Sequence, residues 1–447
     1  MASDETRGLR KVVGASLVGT SLEWYDFFLY GSAAALVFPQ LFFPESEPLV
    51  GTLLSFATFA VGFVARPIGA VFFGHFGDRI GRKNMLIATL MVMGVATFLI
   101  GCLPTYSTIG SAAPVVLVAL RFMQGFGLGG EWGGAVLMAT EHGNAGRRGL
   151  YGAWVQFGVP VGSLLSTGVL ALFAAVLSES AFLSWGWRVP FLLSAVLVGV
   201  GLYIRVSISE SPLFRAVEET ETKARLPIVD VLRVYPRSIL IAVGTRAGSD
   251  ITYYVVALYL VTYVTTQLEL PQGVALGAVL AGSALQLVTI PLFGALSDRV
   301  GRRPVLLFGA VGAGLWIFAF FPLLDTRATP FIVLAAVGGL LFHSAMWAPL
   351  AAFIAELFGT RVRYSGASVG YQLAGIVGGG LAPFIAVALY ARFDSTLPVS
   401  LYVAAGLALT VVSVILAKET RLIDLEQAKA EERGIVERPE AFEGASS

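Results

Sequence analysis

Acids and arginines stand inside long runs of this sequence that are otherwise apolar. Glu23 and Asp26 lie in Gly19-Thr-Ser-Leu-Glu23-Trp-Tyr25-Asp26-Phe-Phe-Leu-Tyr30-Gly31, Arg121 and Glu131 in Arg121-Phe-Met-Gln-Gly125-Phe-Gly127-Leu-Gly129-Gly130-Glu131, and Arg246 with Asp250 just ahead of Tyr253 and Tyr254. A charge at the centre of a bilayer costs about 2.5–3.5 kcal/mol on insertion scales, so such a residue marks an ion or substrate pathway or is pinned by a neighbouring helix. Asp26 and Tyr30, four residues apart, share one helix face, and Glu23 lies one turn earlier. Asp26 needs either a proton or a partner. Arg121 is the expected partner, because its permanent charge and planar fork suit a carboxylate, while Gly125, Gly129 and Gly133 at four-residue spacing allow close helix approach. Glu131 belongs either to a proton route or to a polar cap. Arg246 and Asp250 form either a self-contained i, i+4 pair or part of a cavity wall. Gln156, Gln286, Trp347, Tyr371 and Gln372 add polar edges at similar depth, as ligand contacts or as packing groups. Arg66 beside Pro67, and His343, are weaker signals.

The elements that must position these groups are transmembrane helices. Hydrophobic residues make up 56% of the 447 and charged residues 13%, against about 25% charged in soluble domains. Thirty Lys and Arg against 29 Asp and Glu leave no basic footprint, so nucleic acid is not an expected partner. Cys102 is the only cysteine; no intrachain disulfide and no metal cluster is expected. No nucleophile and base sit together near one membrane face, so no catalytic residue, enzymatic activity or cofactor is expected. Twelve segments reach the ~20 apolar residues that a span requires, near 12–38, 49–74, 85–103, 112–141, 150–177, 187–207, 236–267, 272–297, 305–324, 329–356, 362–391 and 397–417. Basic residues gather in alternate loops, which the positive-inside bias assigns to the cytoplasm together with both termini. A charged stretch containing Pro212, Pro227 and Pro236 reads as a linker. The organisation is then a bundle over 1–207, a linker over 208–235, a second bundle over 236–417 and a tail over 418–447, the last expected to be solvated.

A duplication supports this division. Gly74-His-Phe-Gly-Asp78-Arg79-Ile-Gly81-Arg82-Lys83 recurs as Gly294-Ala-Leu-Ser-Asp298-Arg299-Val-Gly301-Arg302-Arg303, each copy between two apolar runs. Glu141 ahead of Arg147 and Arg148 likewise recurs as Glu356 ahead of Arg361 and Arg363. The fold class is therefore an all-α membrane protein of twelve transmembrane helices, in two six-helix bundles with pseudo-two-fold symmetry about the membrane normal. Asp78 can accept hydrogen bonds from a helix N-terminus.

The repeated loop resembles the signature of the major facilitator superfamily of secondary transporters. The resemblance implies that Asp78, Arg79, Arg82, Glu141, Arg147, Asp298, Arg299, Arg302, Glu356 and Arg361 form a cytoplasmic gate network that latches the halves in the outward-open state. Arg121 with its glycines, and Tyr25-Asp26, are similar to the proton-coupled sugar porter branch. By that likeness Asp26 and Arg121 alone are the proton-linked pair, and Gln156, Trp347 and Gln372 fall at sugar-binding positions; Glu23, Asp250 and Glu131 are further candidate acids for proton coupling by their own placement. EWYDFFLYG at 23–31, RFMQGFGLGGEWGGA at 121–135, SWGWRVPF at 184–191 and YSGASVGYQLAGIVGGG at 364–380 resemble the metabolite:proton symporter family, and most nearly its shikimate-transporting members. Members of that family take up shikimate, di- and tricarboxylates, proline and betaines with protons.

Physics narrows the substrate. Arg121 and Arg246 supply positive charge for a carboxylate, with Tyr30, Gln156, Tyr253, Trp347 and Gln372 as neighbouring contacts. The expectation is proton-coupled import, by alternating access, of a small organic carboxylate of the shikimate or dicarboxylate type. A zwitterionic osmolyte held in an aromatic cage, or proton-driven export, are the alternatives. The coupling ion is H+, the partners are substrate, proton and bilayer, a monomer is expected, and the location is the cell membrane.

Overall fold

A computed structural model of the protein describes the backbone of residues 2–80, 82–129, 136, 145–207, 233, 235–359 and 363–421; within these, the side chains of 2–16, 74, 75, 77–80, 82–84, 86, 145, 204–207 and 364 are not described. Among the described residues, twelve longer helical segments follow one another, with shorter ones such as Phe38–Phe42 and Tyr106–Ile109 between them. The longer ones are α1 Ala2–Leu36, α2 Pro48–Ile80, α3 Arg82–Cys102, α4 Ala112–Leu128, α5 Arg148–Val176, α6 Arg188–Ser207, α7 Pro236–Tyr254, α8 Gln272–Val300, α9 Arg302–Asp325, α10 Thr329–Glu356, α11 Arg363–Ala374 and α12 Leu397–Leu416. α7 runs on through π turns at Val255–Tyr259 and Tyr263–Gln267. α11 runs on through another at Gly375–Gly380 into Ala382–Phe393. Among the described residues, seven helices are long and apolar enough to span a membrane on composition alone. An eighth qualifies if the pair bent by 41° at Gly186–Arg188 counts as one span. The linker at 208–235, apart from residues 233 and 235, and the tail beyond residue 421 lie outside the described residues.

The duplication seen in the loops is carried through the packing. In the first half α1 packs on α5, α2 on α4 and α3 on α6; in the second half α7 packs on α11, α8 on α10 and α9 on α12. The same three pairings recur because each half repeats the same pattern of faces. Between the halves, α2 meets α11 and α5 meets α8 and α10. Large apolar side chains such as Val115, Leu172, Leu240 and Leu315 stay 58–71% exposed on the outer surface. A soluble monomer would not tolerate such patches, whereas a bilayer solvates them.

Glycine sets the tightest of these contacts. A Cβ on Gly125 would fall 2.0 Å from the carbonyl oxygen of Gly62, and one on Gly129 would fall 1.9 Å from that of Arg66. Backbones so close leave no space for a methyl group, as the spacing of these glycines in the sequence predicts; Gly133 lies outside the described residues. We expect Gly129→Ala to push α4 off α2 at an overpacking cost of about 1–3 kcal/mol, read as a lowered thermal midpoint in detergent. An unchanged midpoint would contradict the contact.

Candidate functional site

The site lies where α1, α2, α4, α7, α10 and α11 converge. α1 turns an aromatic face towards the second half: Trp24 meets Trp347 with ring centroids 6.1 Å apart, Phe28 meets Tyr253 at 5.2 Å, and Phe27 meets Tyr254 at 6.4 Å. Tyr253 also packs on His343 at 4.8 Å, and His343 stacks on Trp347 at 5.4 Å. The rings leave a small cavity of about 10 Å³, lined by Trp24, Phe28 and Val159 from one half and Asp250, Tyr253, Tyr254, His343 and Trp347 from the other. That space holds about one water. The halves meet closely at the centre, and this space must widen to admit a solute.

Asp26 is 2% exposed, and its Oδ1 has no hydrogen-bond partner. Arg121, fully buried, does not pair with it directly. Its Nη1 donates to Gln124 Oε1, its Nε and Nη2 reach the Phe59 carbonyl at 3.4 Å each, and its guanidinium lies 4.2–4.8 Å from the rings of Tyr30, Phe27 and Phe59. Gln124 bridges the intervening space. Its amide donates to Thr97 Oγ1 at 2.8 Å and to the backbone oxygen of Asp26 at 3.4 Å, and Thr97 stands beside the Asp26 carboxylate. The expected acid–arginine contact is thus replaced in this closed conformation by a chain through Gln124 and Thr97. Gln124 carried no signal in the sequence beyond its i, i+3 spacing from Arg121. Tyr30, whose hydroxyl donates to Thr58 Oγ1 at 2.7 Å, serves as a face for Arg121.

In the second half Arg246 Nε lies 3.0 Å from Asp250 Oδ2, and both residues are buried. Arg246 also donates through Nη1 to the Tyr371 carbonyl, and its guanidinium stands 3.3 Å over the Tyr371 ring. The i, i+4 self-pair is formed and also faces the cavity. Trp347 Nε1 donates to the Gln156 carbonyl at 3.4 Å, and Gln372 Nε2 to that of Gly129 at 3.1 Å. These two contacts tie the halves together. Glu23 is buried on α1 between these groups. Glu131 lies outside the described residues.

Arg66 is the residue whose sequence signal understated its place. It is 2% exposed, with its guanidinium 4.3 Å from the Phe27 ring and 4.5 Å from that of Phe63, and its Nε and Nη2 have no hydrogen-bond partner. An arginine next to a proline near the middle of an apolar run was the available clue.

A second constellation sits at the basic-loop side. Asp298, at the end of α8, accepts from the amides of Gly149 at 2.8 Å and Leu150 at 2.9 Å, the free N–H groups at the start of α5 in the other half. A carboxylate suits a helix N-terminus, whose first amides are unpaired and carry the positive end of the dipole. Arg302 clamps the arrangement, with Nη1 2.6 Å from Asp298 Oδ1 and Nη2 3.3 Å from Glu356 Oε1. Gly301 between them has φ +105°, a conformation open to glycine, which lets the chain reverse from α8 into α9. Arg147 is exposed, and Arg299 takes part through its carbonyl, which accepts from Arg421. The side chains of Asp78, Arg79 and Arg82, and all of Glu141 and Arg361, lie outside the described residues.

The first residues of the tail belong to this constellation, a departure from the solvated tail expected of the sequence. Glu419 accepts from the backbone amides of Arg302 at 2.9 Å and Arg303 at 3.1 Å, capping α9, and Thr420 Oγ1 donates to Glu356 Oε2 at 2.6 Å. A hydrogen bond to a charged group contributes about 1.5–3 kcal/mol. Thr420→Val is expected to loosen Glu356 and raise hydrogen exchange at the Gly149 and Leu150 amides several-fold; exchange equal to wild type would show that the tail does not brace the contact.

The family model described as sugar (and other) transporter matches residues 11–230, and that of the major facilitator superfamily matches residues 249–443. The inner membrane metabolite transport protein YhjE of Escherichia coli (strain K12) is 42% identical over 417 residues, 92% of this chain and 94% of that protein. The shikimate transporter of the same organism is 42% identical over 420 residues, 93% of this chain and 96% of that protein. Its proline/betaine transporter is 32% identical over 421 residues, 92% and 84% of the two chains. Among solved structures, the proton:xylose symporter XylE bound to 6-bromo-6-deoxy-D-glucose superposes with a TM-score of 0.74 at 16% identity, covering 96% of this chain and 99% of that one. The partially occluded inward-open form of XylE from E. coli gives 0.69 at 18% identity, covering 93% and 99%.

Proposed function

This chain belongs to the major facilitator superfamily, a multi-pass membrane transporter and not an enzyme, and from that premise we propose that it imports a small organic carboxylate together with protons by alternating access. The observation that carries the reading is the set of buried charges at the closed junction of the halves: Asp26 with an unbonded Oδ1, and Arg66 and Arg246 with N–H groups facing no acceptor. Burying charges is costly unless a partner or a proton offsets it. A cycle that delivers a carboxylate to the arginines and a proton to the acid satisfies both needs at the moment of closure.

In this reading Asp26 carries the coupling proton. Arg121, linked to it through Gln124 and Thr97, senses its charge, and Glu23, Asp250 and Glu131 are the next candidate acids. Tyr30, Gln156, Tyr253, Trp347 and Gln372 shape the space around the substrate. Taking the basic loops as cytoplasmic, both termini face the cytoplasm, Asp298, Arg302 and Glu356 close the inner gate, and the chain works as a monomer in the cell membrane. The relatives support a shikimate-like acid through the 42% identical shikimate transporter.

A second reading rests on the aromatic lining. Trp24, Phe28, Tyr253 and Trp347 around the cavity suit a quaternary or secondary ammonium through cation–π attraction, and the proline/betaine transporter is 32% identical. Such a zwitterion also presents a carboxylate. Uptake of labelled shikimate, 2-oxoglutarate, citrate, proline and glycine betaine into proteoliposomes under an imposed pH gradient separates the two. Shikimate or another acid accumulating only with the inside alkaline is the expected result; uptake indifferent to the gradient would remove the proton from the proposal, and uptake of betaine alone would favour the second reading.

A further inference from the structure

Of the arginines at the centre, the two with unsatisfied N–H groups come from opposite halves. Arg66 on α2 leaves Nε and Nη2 without acceptors, and Arg246 on α7 leaves Nη2 without one. Arg121 is differently placed, since Nη1, Nε and Nη2 all donate, to Gln124 and to the Phe59 carbonyl. Arg66 and Arg246 also lie within electrostatic reach of each other and of Tyr254 and Tyr371. Asp250 is engaged with Arg246 at 3.0 Å. Two buried guanidinium groups within electrostatic reach repel one another, a repulsion that Asp250 partly offsets, and unsatisfied N–H groups in a dry interior are costly. Both penalties vanish if one anion is shared between them.

The surroundings of Arg66 argue for a ligand-facing role. Its planar face rests on Phe27 and Phe63, 4.3 and 4.5 Å away, so the rings hold the guanidinium flat without using its donors. Phe27 packs in turn on Tyr254 across the junction, and Phe63 lies 5.7 Å from the same ring. Stacked this way, the fork keeps its N–H edge free for a planar carboxylate, the geometry in which arginine outperforms lysine. The space beside it, between Trp24 and Trp347, holds about one water in this conformation and must widen to take the body of a ligand.

We propose that Arg66 and Arg246 form a split anion site, one cation from each half, in which the substrate carboxylate accepts from Nε and Nη2 of Arg66 and from Nη2 of Arg246. The site rests on the carboxylate reading above and deepens it: the anion bridges the two halves, so binding it favours conformations in which both arginines reach the ligand over those that part them. A ligand shifts a conformational equilibrium only through such differential contact. Arg66, which the sequence ranked low, becomes the chief specificity determinant for the acid group, and Arg121 is left to the proton side of the site.

The test compares acids with their neutral esters. Purified protein in lipid nanodiscs is titrated calorimetrically with shikimate and methyl shikimate, glycine betaine and its methyl ester, and 2-oxoglutarate, citrate and proline. Wild type is expected to prefer an acid over its ester about 100-fold, as a bidentate charge-assisted contact implies. In Arg66→Gln that preference should shrink to about threefold, and in Arg66→Lys, which keeps the charge and loses the fork, to about tenfold. The ratio is internal to each variant, so a general loss of packing does not imitate it, and the lysine variant keeps the test alive if the glutamine variant does not fold. An acid-over-ester ratio unchanged from wild type in either variant would overturn the site while leaving the carboxylate reading in place. Wild type that binds no acid of the panel, or binds ester and acid alike, would remove the carboxylate reading and this proposal together.

Discussion

Asp26→Asn is expected to reduce substrate accumulation against a gradient to nothing, with the internal to external ratio falling to one, while exchange of labelled for unlabelled substrate across the membrane survives. The carboxyl is 2% exposed, its Oδ1 is without a partner, and Arg121 is turned to Gln124 and Phe59. An ionised acid left so would bear the full cost of an uncompensated buried charge, several kcal/mol. On the function proposed above, the acid enters this conformation with a proton. Asparagine keeps the volume and the neutral state permanently. Closing and opening then no longer depend on a proton, so the pH gradient ceases to drive the cycle, while the substrate's own contacts persist. The measurement is uptake and counterflow in proteoliposomes under an imposed pH gradient. A variant that still concentrates substrate there would move the coupling proton to Asp250 or Glu131.

Arg302→Ala is expected to open the gate on the basic-loop side. The residue is 1% exposed and serves two acids at once, Asp298 at 2.6 Å and Glu356 at 3.3 Å, while Ser297 Oγ accepts at 2.9 Å. Removing one member of a buried charge network costs about 3–5 kcal/mol, because the partners stay behind unpaired. At ~1.4 kcal/mol per factor of ten, the balance between closed and open forms moves by a hundredfold or more. Asp298 would lose the clamp that aims it at Gly149 and Leu150, and these amides report directly. Their hydrogen exchange should rise to the level of unprotected amides, and net transport should fall as the closed state becomes rare. Protection equal to wild type would show that the network does not hold the halves.

The sequence alone determined a good deal. Helices and membrane are written in composition, because a bilayer leaves no other home for runs this apolar and requires every backbone N–H in them to be bonded within the run. The two-fold repeat was legible because a duplicated chain keeps its loop signature, and the structure repeats it as three identical helix pairings in each half. Gly125 and Gly129 announced a tight crossing by their spacing alone. Single charges in apolar runs marked Asp26, Arg121, Arg246 and Asp250, since nothing but function or a partner offsets such a placement. What only the tertiary structure decided is which of these groups face one another. Partner choice depends on rotations and offsets between helices distant in sequence, and helical spacing constrains only neighbours within one helix. So the sequence indicated the Arg246–Asp250 pair, four residues apart, but joined Asp26 to Arg121, where the fold inserts Gln124 and Thr97. It ranked Arg66 low, because a stacked arginine with bare donors differs from a satisfied one only in its three-dimensional surroundings. It left Glu419 and Thr420 to solvent, because a cap on α9 and a bond to Glu356 arise from a chain returning to positions 117 and 64 residues behind it.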